Sequence, residues 1–116
     1  NCILWGNTSS YGGTQIDVSG TGDPVIQNCC IDQAGYSAEG NSIRSDPMWV
    51  TGPDGDYYLS QADAGQVGTS ACVDSGIDLA SAYLLDVMTT RTDQVGDAGT
   101  VDIGFHYARL IVSRLR

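Results

Sequence analysis

The sequence predicts an all-β chain, a short right-handed parallel β-helix, and three observations carry that expectation. First, Gly is 15 of 116 residues, Lys is absent and Asp outnumbers Glu 13 to 1. Few long charged side chains and many turn formers favour short strands joined by tight turns over helices. Second, strand-like runs of four to eight residues recur, each bounded by Gly, Asn, Asp or Ser. Third, a Cys followed by a β-branched residue appears at 2/3, 30/31 and 72/73, at intervals of 28 and 42 residues. An interval of roughly 20–30 residues matches one coil of a solenoid, with insertions falling in its loops.

In chain order, the expected strands are 2–5, 14–18, 24–31, 47–50, 56–59, 71–74 and 101–107. The chain opens at Asn1, directly against the first run, so the natural chain is expected to extend upstream. Asn1-Cys2-Ile3 recurs as Asn28-Cys29-Cys30-Ile31, and Gly6-Asn7 returns as Gly40-Asn41. Parallel stacking about 4.8 Å apart would place like residues over like and let Asn1 and Asn28 form an amide ladder. Alternation is plain in 101–107: Val101, Ile103, Phe105 and Tyr107 share one face, and Asp102, Gly104 and His106 the other. Residues 78–88 break the pattern. Leu79, Tyr83, Leu84, Val87 and Met88 lie at helical spacing with Asp78 as N-cap, which predicts a short helix packed over an end of the solenoid. Residues 1–107 form the expected domain and 108–116 an apolar-basic tail.

Charge narrows the partners. Residues 1–105 carry all 14 acidic groups and only Arg44 and Arg91, a balance of −12, while Arg109, Arg114 and Arg116 give the last eleven residues +3. A net charge of −9 repels phosphate and argues against nucleic acid. The apolar run Leu110-Ile111-Val112 is far too short to span a bilayer. Cys2, Cys29, Cys30 and Cys72 in a small, acidic, Lys-free chain suggest disulfides and an oxidising compartment. Zinc is the rival reading, weakened by the absence of CxxC and by a single histidine, His106. Vicinal Cys29 and Cys30 point to opposite strand faces, so at most one joins an inward stack; the connectivity stays open.

Three candidate sites stand beside plainer readings. Asp54 and Asp56 flank a glycine, and Asp93, Asp97 and Asp102 gather near the C-terminal end, an arrangement of oxygen ligands that suits structural calcium. Neither the EF-hand spacing nor the Gly-rich calcium nonapeptide occurs, and Asp also ends strands with no metal present. Trp49, Tyr57 and Tyr58, with Trp5, are candidates for stacking on sugar rings, although aromatics in short strands commonly fill cores. No pair of carboxyls is singled out as acid and base, and no Lys supplies a lyase base, so no catalytic residue is expected. His106 has no evident Ser or Cys partner and is expected at the surface.

Several segments carry a family resemblance in order: Asn1-Cys-Ile-Leu-Trp-Gly-Asn7, Gly40-Asn-Ser-Ile-Arg-Ser-Asp-Pro-Met-Trp-Val50, Gly55-Asp-Tyr-Tyr-Leu-Ser60, Ser70-Ala-Cys-Val-Asp-Ser-Gly76 and Arg91 through Tyr107. The chain resembles the C-terminal portion of bacterial right-handed parallel β-helix repeat proteins of the surface, choice-of-anchor kind. The closing Asp97-Ala-Gly-Thr-Val-Asp-Ile-Gly104 is the most specific part of the likeness. The resemblance implies export, cell-surface display and a β-helical fold, and carries over no catalytic residue. Family members are longer, and they stop soon after this motif, whereas this chain continues to Arg116.

The function expected from this reading is a non-catalytic extracellular structural or surface-assembly module. It would form oligomers or filaments through open strand edges. The tail (Arg109, Leu110, Ile111, Val112, Arg114, Leu115 and Arg116) would add to an edge of another copy by β-augmentation. A carbohydrate-binding or adhesion module is the alternative, and a polysaccharide-degrading fragment is less favoured. No cofactor is expected beyond structural calcium.

Overall fold

In the computed structural model, which describes residues 1–10, 15–18, 20, 22, 24–36 and 39–109, the strands are only two to five residues long. They pair two by two. Strand β1 (Ile3–Leu4) runs parallel to β2 (Cys30–Ile31). Strand β3 (Trp49–Gly52) is antiparallel to β4 (Gly55–Leu59), and β5 (Met88–Thr89) to β6 (Tyr107–Ala108).

This pairing overturns the β-helix. A solenoid stacks each strand in parallel on its counterpart one coil away. Among the described residues, parallel pairing is confined to β1–β2 and one bridge from Cys30 to Ile43. The physical cause is the density of turn formers. The backbone enters the left-handed region at Asn28, Asn41, Met48, Asp74, Leu84 and Gln94, and an extended run cannot continue through such a residue. The expected strand 71–74 is a turn, 15–18 and 24–29 hold no strand, and 101–106 is irregular.

The recurrent Cys-Ile segments do meet, one residue out of step with their spacing. Ile3 faces Cys30 and Leu4 faces Ile31, an offset of 27 that also aligns Asn1 with Asn28. Cys30 N–H donates to the Cys2 carbonyl (2.9 Å) and Asp32 N–H to that of Leu4 (3.0 Å). On the far side, Ile31 N–H donates to Ile43 (2.9 Å) and Ile43 N–H to Cys29 (2.8 Å). No amide ladder is recorded between Asn1 and Asn28. The Asn1 carboxamide oxygen accepts from Ile77 N–H at 2.9 Å.

The β3–β4 hairpin turns at Pro53-Asp54, where proline presets φ and Asp54 N–H donates to the Tyr58 hydroxyl (3.1 Å). Tyr58 is buried and stacks on Tyr107 with centroids 4.0 Å apart and planes 9° apart. Gly52 lies so close to the Tyr58 ring that a Cβ there would collide with it. Beside this stack, Cys30, Leu59, Cys72 and Ile103 form a core covered by Ile3, Trp5, Ile43, Trp49 and Val73.

Two further expectations fail for local reasons. Residues 78–88 form no packed helix but a 3-10 turn, Ala80–Tyr83, ended by Leu84 in the left-handed region. Asp78 bonds the adjacent Leu79 N–H (2.7 Å) without capping a helix. Leu79, Tyr83, Leu84 and Val87 lie at the surface, so the segment hides no open end. In 101–107 the alternation breaks at Gly104, whose φ of 125° is open to glycine. Val101, Ile103 and Tyr107 are buried, but so are Asp102 and His106, while Phe105 is 63% exposed.

Candidate functional site

The first candidate is an aromatic groove of about 540 Å³ between β1, the β3–β4 hairpin and the Gly104-Phe105 corner. Trp5 follows β1, Trp49 opens β3, and Tyr57 points outward from β4 because its neighbour Tyr58 points in. Trp49 and Tyr57 meet edge to face, centroids 5.1 Å apart. Phe105, turned out by Gly104, meets the edge of Tyr107 at 4.7 Å and closes the far side. Asn1 and Asn7 add carboxamides to the lining. Tyr57 is 54% exposed, so the groove offers open ring surface beside polar groups. Of the four aromatics predicted to stack on sugars, the fold gathers Trp5, Trp49 and Tyr57 and assigns Tyr58 to the core. Phe105 was missed because strict alternation put it inside.

The second candidate is acidic. Asp97 and Asp102 come from the closing motif, and Asp74 from the turn after Cys72. Each offers one oxygen within 4.8 Å of the others, an arrangement that can hold a metal ion. The local backbone builds the cluster. Asp102 N–H donates to Asp97 Oδ2 (2.8 Å), Asp74 N–H to Asp102 Oδ1 (2.7 Å), and the Thr90 hydroxyl to Asp102 Oδ2 (2.5 Å). His106 Nε2 lies 2.6 Å from Asp97 Oδ2, and its Nδ1 lies 3.1 Å from the Gly104 carbonyl. Which ring nitrogen carries the hydrogen depends on the tautomer. The expected surface histidine is instead buried against a carboxylate.

Burial pushes the Asp102 carboxyl above its usual range. Burial, and then the nearby Asp97, do the same for Asp74. The cluster borders a pocket of about 170 Å³ that Gln61, Asp63 and Thr90 also line. Asp74 was missed because no local motif marks it. The other predicted calcium ligands have different work. Asp54 supports the hairpin turn beside the Tyr58 hydroxyl, Asp56 accepts from the Thr51 hydroxyl (3.0 Å), and Asp93 pairs with Arg91 at 2.7 Å. That pairing holds the Asp93 carboxyl below its usual range.

Among the cysteines, Cys30 and Cys72 are fully buried, Cys29 half-buried and Cys2 exposed; all four are free thiols. Of the tail, Arg109 donates to the Gln94 carbonyl (3.0 Å), while Leu110, Ile111, Val112, Arg114, Leu115 and Arg116 lie outside the described residues. A larger cleft of about 600 Å³ between 24–27 and 33–36 has, among the described residues, no charged side chain in its lining. No helix among the described residues is long and apolar enough to cross a membrane. In comparisons with known proteins, no family model, curated protein or solved structure matches this chain.

Proposed function

We propose that this chain is a non-catalytic extracellular or cell-surface module that binds a glycan in the aromatic groove. The observation that carries the reading is the convergence of Trp5, Trp49, Tyr57 and Phe105 from separate parts of the chain onto one open groove with carboxamides in its lining. Aromatic faces suit the apolar faces of sugar rings, and amides bond their hydroxyls. A concave aromatic surface with a few polar groups is the usual form of a small-ligand site. Self-assembly was expected from open solenoid ends and from the tail; the first basis goes with the solenoid, and the tail keeps the self-associating reading as the alternative.

Both tryptophans of the chain line this groove, so intrinsic fluorescence reports on it directly. Titrating a panel of oligosaccharides should quench or shift that emission saturably, with matching heat by calorimetry. Tyr57→Ala should weaken binding about two- to tenfold, since one lost ring contact is worth about 0.5–1.5 kcal/mol. Silence of both readouts across neutral, acidic and basic glycans would remove the proposal. Light scattering on the same sample addresses assembly: a discrete oligomer or filament would return the self-associating reading to the front.

A second reading concerns calcium at Asp74, Asp97 and Asp102, favoured by three oxygens converging beside a small polar pocket. Calcium takes six to eight oxygens, and Thr90 or Gln61 with water would complete the shell. At about a hundredfold excess over Kd, bound calcium should stabilise the fold by about 2.7 kcal/mol. Asp74→Asn should abolish that gain, and the exposed position of Asp74 makes the variant structurally mild. Identical melting in calcium and in chelator would dismiss the ion.

A further inference from the structure

We propose that Cys30 and Cys72 are a disulfide-forming pair that ties the N-terminal parallel ladder to the turn before the closing motif. Both residues are 0% exposed and lie in one core cluster with Leu59 and Ile103. The two side chains pack in that one core, each thiol shifting the other's titration, and the Cys30 thiol donates to the Ser45 carbonyl (3.0 Å). Backbone bonds hold both partners in place: Cys30 donates to Cys2, Ile103 N–H donates to the Cys72 carbonyl (2.8 Å), and Cys72 N–H donates to the Ser70 hydroxyl (3.1 Å). The remaining thiols stand apart from this core, since Cys2 is exposed and Cys29 points away from Cys30.

Contact with Cys72 lowers the Cys30 thiol from its ordinary value, and contact with Cys30 and burial raise that of Cys72. Thiolate is the attacking form in thiol–disulfide exchange. The chemistry balances with a small disulfide oxidant such as oxidised glutathione. The Cys30 thiolate attacks one oxidant sulfur, forming a mixed disulfide and expelling one glutathione thiolate. Cys72, losing its proton to solvent, then attacks Cys30 Sγ and expels the second. The protein gives up two electrons, and the oxidant is reduced to two thiols. Because the pair is enclosed, exchange requires folding intermediates or local opening.

The chain has no Lys and its arginines are at 44, 91, 109, 114 and 116, so trypsin leaves all candidate partners of Cys72 within residues 1–44 and Cys72 itself within 45–91. The test refolds the protein in a glutathione redox buffer, blocks free thiols with iodoacetamide in denaturant and maps tryptic peptides without reduction. A reducible link between the two peptides is expected. It should persist in the double variant Cys2→Ser/Cys29→Ser, whose changed side chains lie outside the core. Relative to its reduced form, that variant should melt on the order of 10 °C higher when oxidised. Complete alkylation of Cys72 in the refolded protein, or loss of the link in the double variant, would overturn the pairing. Cys30→Ala is a second check, expected to leave Cys72 alkylated.

Discussion

Asp102 shows how one side chain can be both well bonded and destabilising. It accepts from Thr90 and from Asp74 N–H, yet burial holds its carboxyl above the usual range. A raised carboxyl binds its proton more tightly folded than unfolded. Its stabilising contribution is therefore fully present below the ordinary value of 3.8 and is lost as pH rises through the raised one. Asp102→Asn should flatten that fall, which urea denaturation of both proteins across mildly acidic pH would measure. An unchanged pH profile would show that the buried carboxyl does not titrate in this range. Gly76 is a second residue with little freedom. A Cβ there would meet Val101 and the Asn1 carboxamide, while its own N–H already bonds the Val101 carbonyl (2.7 Å). Gly76→Ala should cost about 2 kcal/mol through overpacking, read as a lower denaturation midpoint.

At the scale of elements, the β3–β4 hairpin is the longest paired unit and supplies both core and groove. Alternation along β4 sends Tyr58 inward onto Tyr107 and Tyr57 outward into the groove, and the Tyr107 hydroxyl accepts from Tyr57 N–H (3.1 Å). Adjacent tyrosines should therefore respond oppositely to truncation. Tyr58→Ala should cost about 3–5 kcal/mol, the range for a large aromatic removed from a core. Tyr57→Ala should change stability by about 0.5 kcal/mol or less while impairing ligand binding. Equal losses in a denaturant series would mean that the hairpin faces are misassigned. The two runs of this hairpin, 47–50 and 56–59, were legible in the sequence, but their antiparallel pairing across Pro53-Asp54 was not, since parallel stacking was expected. Nor was the 3-10 turn at Ala80–Tyr83. Helical spacing at Leu79, Tyr83, Leu84 and Val87 had no apolar partner surface to bury it, and most short helices depend on such packing.

For the whole molecule, the governing features are its net charge of −9 and the shortness of its sheets. Mutual repulsion among exposed carboxylates opposes compaction, and added salt screens it. Raising sodium chloride from about 0.01 M to about 0.15 M should lift Tm by a few degrees even without calcium, as the Debye length falls from about 30 to about 8 Å. A Tm independent of salt would show that the acidic side chains are too far apart to matter.

By itself the sequence determined the local grammar of this protein: short strands, opposed faces for Cys29 and Cys30, and a turn-rich acidic surface. These depend on neighbouring residues and on intrinsic backbone preference. Tertiary structure alone decided what those pieces meet. Shared register joined β1 to β2 at an offset of 27, but the repeat stopped at Ile43 because the 71–74 segment turns instead of extending. Asp74 joined Asp97 and Asp102, Phe105 joined the tryptophans, and Cys72 reached Cys30. Each of these meetings depends on chain reversals tens of residues apart, and no local pattern encodes where a chain broken by so many left-handed residues will return.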